Sequence, residues 1–539
     1  MTASNQAREL SQREKRVLFW ASFLALTAAG FGFAFRVAMM SQYGSDLGLT
    51  EQQVGEVFGA SLWPIAITMI GFSLVVDRTG YSLPMYGACA MQVISGVGTF
   101  FADSYSELYL FALIAGLGHG IVEAVINPIC AAVYPTQKTK WLTILHAAWP
   151  AGLAGGTLLI LAADSLQAGG FPWQYHALWI VLPALAYGFM YRSCKFPVDE
   201  RVQAGVSYRE MLRQVGFLTA ALASFLLIYE IGNQVSQLSS WQAPEGWFNI
   251  SLGAGAAVGL LFGLAVGSLG RPLFFLMCLL MIPVATAELG TDGWIKGLMA
   301  PVLEDLAINP AMALVFSASI MLVLRVFAGG ILKLFSPPGL LCVSGIFSAV
   351  GLYWLSSAAG TYIFVAFVLY ALGQTYYWPC VLGFTSERYP KGGALTLNTV
   401  SAIGLLSAGI IGTPILGVAF DRSIHDTVAR EAPALAAAAS GSGGFMGMSH
   451  ERILPEKAKD YIRGLDGAAQ AEAIAVYSKE APEGRAQLDA GRDVLRFAAR
   501  FPAFLFFIFG LIALWFRMNG GYRPVALTGS GSEEEDGAH

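Results

Sequence analysis

Apolar residues along the chain gather in long blocks with short polar breaks, without the alternation that marks half-buried strands. The blocks fall at 17–40, 54–76, 84–103, 107–133, 141–163, 175–192, 214–232, 249–269, 271–289, 310–332, 338–357, 361–384, 394–419 and 496–517. A helix rises 1.5 Å per residue and the hydrocarbon core is about 30 Å thick, so each block is of membrane-spanning length. The pattern predicts an all-α polytopic membrane protein of about 14 transmembrane helices. An even number places both termini on one side. The block at 17–40 follows a basic stretch, Met1 to Arg16, but is too long for a signal-peptide core, so it reads as an uncleaved first helix.

Composition agrees: 55% of residues are hydrophobic and 13% charged, where soluble domains average about 25% charged. Orientation follows from the basic residues. Arg8, Arg13, Lys15, Arg16, Arg78, Lys138, Lys140, Arg192, Lys195 and Arg388 fall in alternate connections on the side of the termini, whereas the short loops opposite carry Lys296 alone. The positive-inside rule makes the terminal side cytoplasmic, in a cell inner (plasma) membrane.

The expected organisation is a cytoplasmic N-terminus (1–16), a six-helix bundle (17–192), a cytoplasmic linker with two inserted helices (193–270), a second six-helix bundle (271–517) and a disordered acidic cytoplasmic tail (518–539). Within the second bundle, 420–495 is a long periplasmic loop. It contains "AAAASGSGG", which reads as flexible, and continues charge-balanced and partly helical. It reads as a solvated insertion, with a lid or a partner-docking element as alternatives.

Several chemistries are excluded. The six cysteines are isolated and mostly within apolar blocks, so they suggest packing rather than disulfides or zinc. There is no H-E-x-x-H and no Gly-Lys dipeptide, hence no Walker A loop. No nucleophile stands with its base. The expectation is a non-enzyme without cofactor or nucleic-acid partner, a monomer in the bilayer, moving a small-molecule solute on a gradient.

An internal repeat points further. Glu123-x-x-x-Asn127-Pro128 lines up with Gln374-x-x-x-Trp378-Pro379, and each is followed by "YP" and a basic turn, "YPTQKTKWLT" and "YPKGGALT". The halves read as parallel repeats. After the second helix, "GFSLVVDRTGYSLP" carries Asp77, Arg78 and Gly80 in a short turn, and "RVFAGGILKLFSPPG" occupies the matching place in the other half.

This turn resembles the loop signature of the major facilitator superfamily, which latches the cytoplasmic side. The family's pattern has glycine where Ser73 stands and a basic pair where Tyr81 and Ser82 stand. Within that superfamily "VEAVINP" (122–128), "ATAELGTDGWI" (285–295) and "YYWPCVLGF" (376–384) are similar to the fucose:proton symporter group. The resemblance implies two six-helix bundles related by a pseudo-twofold axis, and a proton carried by Glu123. That family has twelve helices, so the pair at 214–232 and 249–269 is an insertion. It also has an acid in its first helix, where this chain offers Arg36.

The residues set out candidate roles. Glu123 is a carboxylate at bilayer depth, which costs at least about 2.5–3.5 kcal/mol without a partner or a task. The alternatives are proton coupling and a permanent ion pair with Arg36. Arg36 serves as counter-charge, as a grip on a hydroxyl or carboxylate, or merely snorkels. Asn127, His146, Trp149, Glu288, Gln374, Tyr377, Trp378 and Asn398 are candidate solute contacts, offering amides, rings and a carboxylate suited to a sugar's hydroxyls and CH faces. Each also admits a helix-packing reading. Asp77, Arg78 and Arg325 are candidate gating residues.

The expected function is proton-coupled import of a sugar or similar polar metabolite by alternating access. An organic-anion carrier built on Arg36 and a drug:proton antiporter are the rivals in transport. A sensor or scaffold acting through the long loop is the rival of another class.

Overall fold

The computed structural model describes residues 10–49, 51–166, 171–478 and 484–527. Arg8 and most of the acidic tail lie outside the described residues, as does the side chain of Lys296. Each of the fourteen apolar blocks is helical. In chain order they are α1 (Gln12–Leu47), α2 (Glu51–Ala60 and Trp63–Thr79), α3 (Ser82–Phe101), α4 (Tyr105–Val133), α5 (Lys138–Leu145 and Ala148–Ser165) and α6 (Trp173–Ala177 continued by Val181–Tyr191). Next come α7 (Tyr208–Leu238), α8 (Trp247–Val266), α9 (Pro272–Ala285 and Thr291–Asp305), α10 (Met312–Val326), α11 (Pro337–Leu355), α12 (Tyr362–Gln374 and Tyr377–Arg388), α13 (Gly393–Ser407 and Thr413–Glu431) and α14 (Arg500–Met518). Among the described residues, 11 helical spans are long and apolar enough to cross a membrane by length and composition. Thus α3, α6 and the short α10 fall below that measure.

Local chemistry sets the helix ends. Ser11 and Glu14 form a reciprocal capping box at the start of α1, and Ser207 and Glu210 repeat it on α7. Gly48 ends α1 at φ 64°, a conformation that costs glycine little.

Bonds among the connections show that both ends of the described chain lie on one face. Lys195 pairs with Glu14 at 3.0 Å, joining the segment after α6 to the start of α1. Lys138 reaches Glu200 at 2.5 Å. The amide of Thr139 donates to Glu387 Oε1 at 3.1 Å, and the amide of Val525 donates to the Glu387 carbonyl at 2.8 Å. We call this the terminal face.

The inserted pair leaves and rejoins the chain at one place. Phe217 and Leu218 donate backbone bonds to Ser268 and Leu269, each at 3.1 Å. A closed hairpin of this kind interrupts its host little. α7 packs on α13 and α9, and α8 packs on α7. Gly255, Gly259 and Gly263, four apart, meet Phe225, Ala221 and Phe217 in turn, and a Cβ on Gly259 would lie 2.5 Å from the Ala221 Cβ. Small residues at this spacing let helix backbones touch where lipid offers no hydrophobic drive. Gly259→Leu is expected to force the pair apart at a cost of about 1–3 kcal/mol. The expected readout is a lowered thermal unfolding midpoint in detergent with solute uptake per folded molecule unchanged, since neither helix reaches the cavity described below.

The loop between α13 and α14 is folded, which corrects the flexible reading of "AAAASGSGG". Helix Pro433–Ala439 runs into strand β1 (Ser440–Phe445), which pairs antiparallel with β2 (Met448–Ile453). The two-residue turn holds Met446 at φ 50° and Gly447 at φ 79°, the handedness that matches strand twist. Three further helices, Pro455–Arg463, Gly467–Val476 and Arg485–Ala498, complete the unit. Its core joins Leu435, Ala439, Ile453, Ala458 and Tyr477 to Ile424 and Val428 of α13. Composition alone missed this because small residues bury well once the end of α13 supplies the larger apolar partners.

Candidate functional site

Three prolines organise the centre of the molecule. A proline inside a helix has no N–H for the carbonyl four residues earlier, which is left needing a donor. Pro128 in α4 frees Ala124, Pro150 in α5 frees His146, and Pro379 in α12 frees Thr375. Each freed carbonyl finds a side chain. Asn398 Nδ2 donates to the Ala124 oxygen at 2.9 Å. Arg325 donates through Nη1 to the His146 oxygen at 3.0 Å and through Nε to the Thr375 oxygen at 2.7 Å. Asn398–Ala124 and Arg325–His146 join one half of the chain to the other.

Between the halves lies a small cavity of about 40 Å³ lined by His119, Glu123, His146, Trp149, Glu288, Leu289, Arg325, Trp378 and Leu405. Glu123 is ten residues from the terminal end of α4, roughly 15 Å along the helix. It is 6% exposed. Asn127 Nδ2 donates to its Oε2 at 2.9 Å, and His119 Nε2 stands 3.9 Å from its Oε1. Asn127 Oδ1 in turn meets His146 Nε2 at 2.9 Å. His119, Glu123 and Asn127 share a helix face by their four-residue spacing. A chain of polar groups thus runs from His119 through Glu123 and Asn127 to His146.

The opposite wall holds a buried ion pair. Arg325, 1% exposed, donates through Nη2 to Glu288 Oε1 at 2.8 Å. Glu288 Oε2 has no hydrogen-bond partner among the described residues and borders the cavity. Glu288 sits in a π turn, Thr286–Gly290, that interrupts α9. Such one-turn bulges re-aim side chains and frequently mark functional positions.

Of the residues expected from sequence, the structure gathers Glu123, His146, Trp149, Glu288 and Trp378 in this cavity, with Asn127 behind Glu123. Arg325, expected at the terminal-side gate, is in the cavity wall and bridges the halves from there. Glu123 is paired with Asn127 and His119 rather than with Arg36. Arg36 donates to the Gly32 carbonyl at 2.8 Å and to Ser95 Oγ at 3.4 Å. It lines a neighbouring chamber that shares His119 with the cavity.

Gln374 and Tyr377 turn into the second bundle, toward Met321 Sδ at 3.3 Å and the Ser344 carbonyl at 3.4 Å. Asn398 is nearer the terminal face, where its amide also donates to Ser73 Oγ at 2.8 Å. That serine stands where the resemblance led one to expect glycine, and its hydroxyl holds the other half of the chain.

At the terminal face Asp77 pairs with Arg201, and Arg78 lies over the Tyr208 ring at 6.0 Å. Asp199 accepts from the Arg201 amide at 2.9 Å and from Tyr81 at 3.4 Å. It sits at the start of α13, where a Cβ on Gly393 would be 2.9 Å from its Oδ1. Burial pushes the Asp199 carboxyl above its ordinary value, against the opposing pull of the Arg201 amide. Lys138 Nζ donates to the Ser386 carbonyl at 3.2 Å, and Thr139 to Glu387. These bonds close the two halves together on that face.

Sequence reasoning missed His119, Asp199, Arg201 and Glu387. The i−4 spacing of His119 before Glu123 was a usable signal. The other three depend on contacts between distant segments.

The Major Facilitator Superfamily model matches residues 21–413. No curated protein matches the chain in sequence. Among solved structures it is similar to the proton:xylose symporter XylE bound to 6-bromo-6-deoxy-D-glucose, at 14% identity and a TM-score of 0.56, covering 78% of this chain and 91% of that one. It is similar to the human organic anion transporter MFSD10 at 10% identity and a TM-score of 0.55, covering 92% and 99%. A structure of the E. coli fucose:proton symporter FucP aligns at 13% identity and a TM-score of 0.51, covering 91% and 98%. At such identities the likeness is one of fold.

Proposed function

Since the chain belongs to the major facilitator superfamily and is a multi-pass membrane transporter, we propose that it is a proton-coupled symporter importing a small polar solute of sugar-like chemistry. The observation that carries this reading is Glu123, a carboxylate at membrane depth in a cavity between the halves, hydrogen-bonded to Asn127 and beside His119. An intramembrane acid that faces a cavity and changes its surroundings as the halves rock is suited to take a proton on one side and release it on the other. Glu288, Trp149 and Trp378 supply an acceptor and two aromatic faces for hydroxyls and CH surfaces.

In this reading the terminal face is cytoplasmic, as the basic residues there favour, and the membrane is the cell inner membrane. Residues 17–192 and 271–517 form the two bundles, 193–270 the linker with the inserted pair, and the protein works as a monomer. The described state is closed to the cytoplasm by the Asn398, Lys138 and Thr139 contacts. The test is uptake of radiolabelled sugars into proteoliposomes under an inward proton gradient. Accumulation that collapses with the gradient supports the reading, and uptake indifferent to it overturns proton coupling.

The folded unit after α13 favours one competing reading, a docking protein that acts through it. Glu431 and Arg485 at its base pair at 3.3 Å, so 432–484 can be excised and replaced by a short Gly-Ser linker. A carrier is expected to keep at least half of its uptake. Loss of uptake in a protein that still purifies as a folded monomer transfers the function to the excised unit.

A further inference from the structure

We propose that the chamber beside the central cavity is an anion subsite, in which Arg36 holds the carboxylate of a polyhydroxylated organic acid. The inference rests on the transport reading above and narrows its solute from a neutral sugar to a sugar-like acid.

Arg36, half-buried, differs from the two buried arginines of the described residues. Arg325 has Glu288 and Arg201 has Asp77. Among the described residues no carboxylate lies within ion-pair distance of Arg36, whose recorded bonds are to the Gly32 carbonyl and Ser95 Oγ. A guanidinium has five N–H donors in a fork that fits a carboxylate with two parallel bonds. A cation within a span of membrane-crossing length is costly in lipid unless an anion or water-filled space accompanies it.

Arg36 borders a narrow chamber of about 10 Å³, room for roughly one water in the described state, lined by Phe33, Ser61, Gln92, Ala115 and His119 among others. A solute reaches Arg36 there only as the halves part and the chamber widens. Gln92 is 1% exposed and its Oε1 has no hydrogen-bond partner among the described residues. A buried, unpaired amide oxygen beside an arginine is an acceptor for a solute hydroxyl adjacent to the carboxylate.

A ring stack forms the wall toward the central cavity: Phe33 and Trp149 centroids are 5.4 Å apart, and His119 lies on Trp149 at 5.4 Å and 21°. His119 borders both spaces and is the neighbour of Glu123. The solute's acid end therefore sits on Arg36 and its hydroxylated body extends along these rings toward the proton site. A single arginine matches one negative charge, which favours a monocarboxylate over a phosphate dianion.

The test uses the full chain in detergent with D-glucuronate against D-glucose, and D-gluconate against D-sorbitol, read as thermal stabilisation. At least one acid is expected to stabilise the wild type with a dissociation constant at least tenfold below that of its neutral counterpart. Arg36→Gln is expected to abolish that preference and Arg36→Lys to keep part of it. Gln92→Leu, which leaves the charge in place, is expected to weaken acid binding several-fold, so the idea stays testable if an Arg36 variant does not fold.

Equal binding of acids and neutral partners, no binding of either acid, or a preference that survives Arg36→Gln would each overturn the subsite. The two readings fail separately. An acid that binds through Arg36 but is not accumulated under a proton gradient removes the coupling, and a neutral sugar that is accumulated removes the subsite.

Discussion

Proteoliposomes carrying Glu123→Gln are expected to exchange labelled for unlabelled solute at close to the wild-type rate, yet fail to concentrate it. Glutamine preserves the size of the side chain and an oxygen that can accept the Asn127 amide bond, now 2.9 Å long, but it cannot bind and release a proton. For one proton per solute, each pH unit of gradient is worth about 1.4 kcal/mol, a factor of ten in accumulation. A gradient of two units therefore supports roughly 100-fold accumulation by the wild type, and the variant is expected to stop near unity. The contrast between intact exchange and lost accumulation separates a coupling role from a folding role. If Glu123→Gln concentrates solute as the wild type does, Glu123 is a structural acid and coupling must be sought at Glu288.

Arg325→Gln is expected to damage both stability and transport. The guanidinium serves three acceptors at once: Glu288, the His146 carbonyl released by Pro150 and the Thr375 carbonyl released by Pro379. Removing one partner of a buried ion pair costs about 3–5 kcal/mol, because the other charge stays buried without compensation. The orphaned carbonyls add to this. The purified variant is expected to unfold at a clearly lower temperature than the wild type. Adding Glu288→Gln removes the stranded charge and is expected to return part of that loss without restoring uptake. A single variant as stable as the wild type would show that the ion pair is not formed in the membrane, and equal instability of the single and double variants would place the cost in the backbone carbonyls instead.

Much of this was legible from the chain alone where the physics is local. The helical blocks follow from segment length and apolarity, because lipid forces every backbone polar group to be satisfied within its own helix. That both ends of the described chain share a face was readable from the even number of blocks, and it is visible in the Lys195–Glu14 and Val525–Glu387 contacts. The placement of Glu123 and Asn127 together came from a four-residue spacing. The repeat at Pro128 and Pro379 was also readable, though its consequence was not: a proline announces a freed carbonyl but not the donor that will meet it.

That donor is settled by tertiary structure. Arg325 looked like a helix-end residue, because its depth depends on the short α10 and on how α5 and α12 bring His146 and Thr375 to it. Asn398 looked like a solute contact until α13 lay against α2 and α4. The "AAAASGSGG" stretch of the long loop read as flexible because its small residues carry no periodic signal, and the core of the folded unit includes Ile424 and Val428 of α13. By itself the sequence determined which segments enter the membrane and which charged residues go with them, since both are set by the cost of transferring each residue into lipid. Only the tertiary structure decided which of those charges meet one another and which, like Arg36, are left facing a space, because that depends on contacts between helices far apart in the chain.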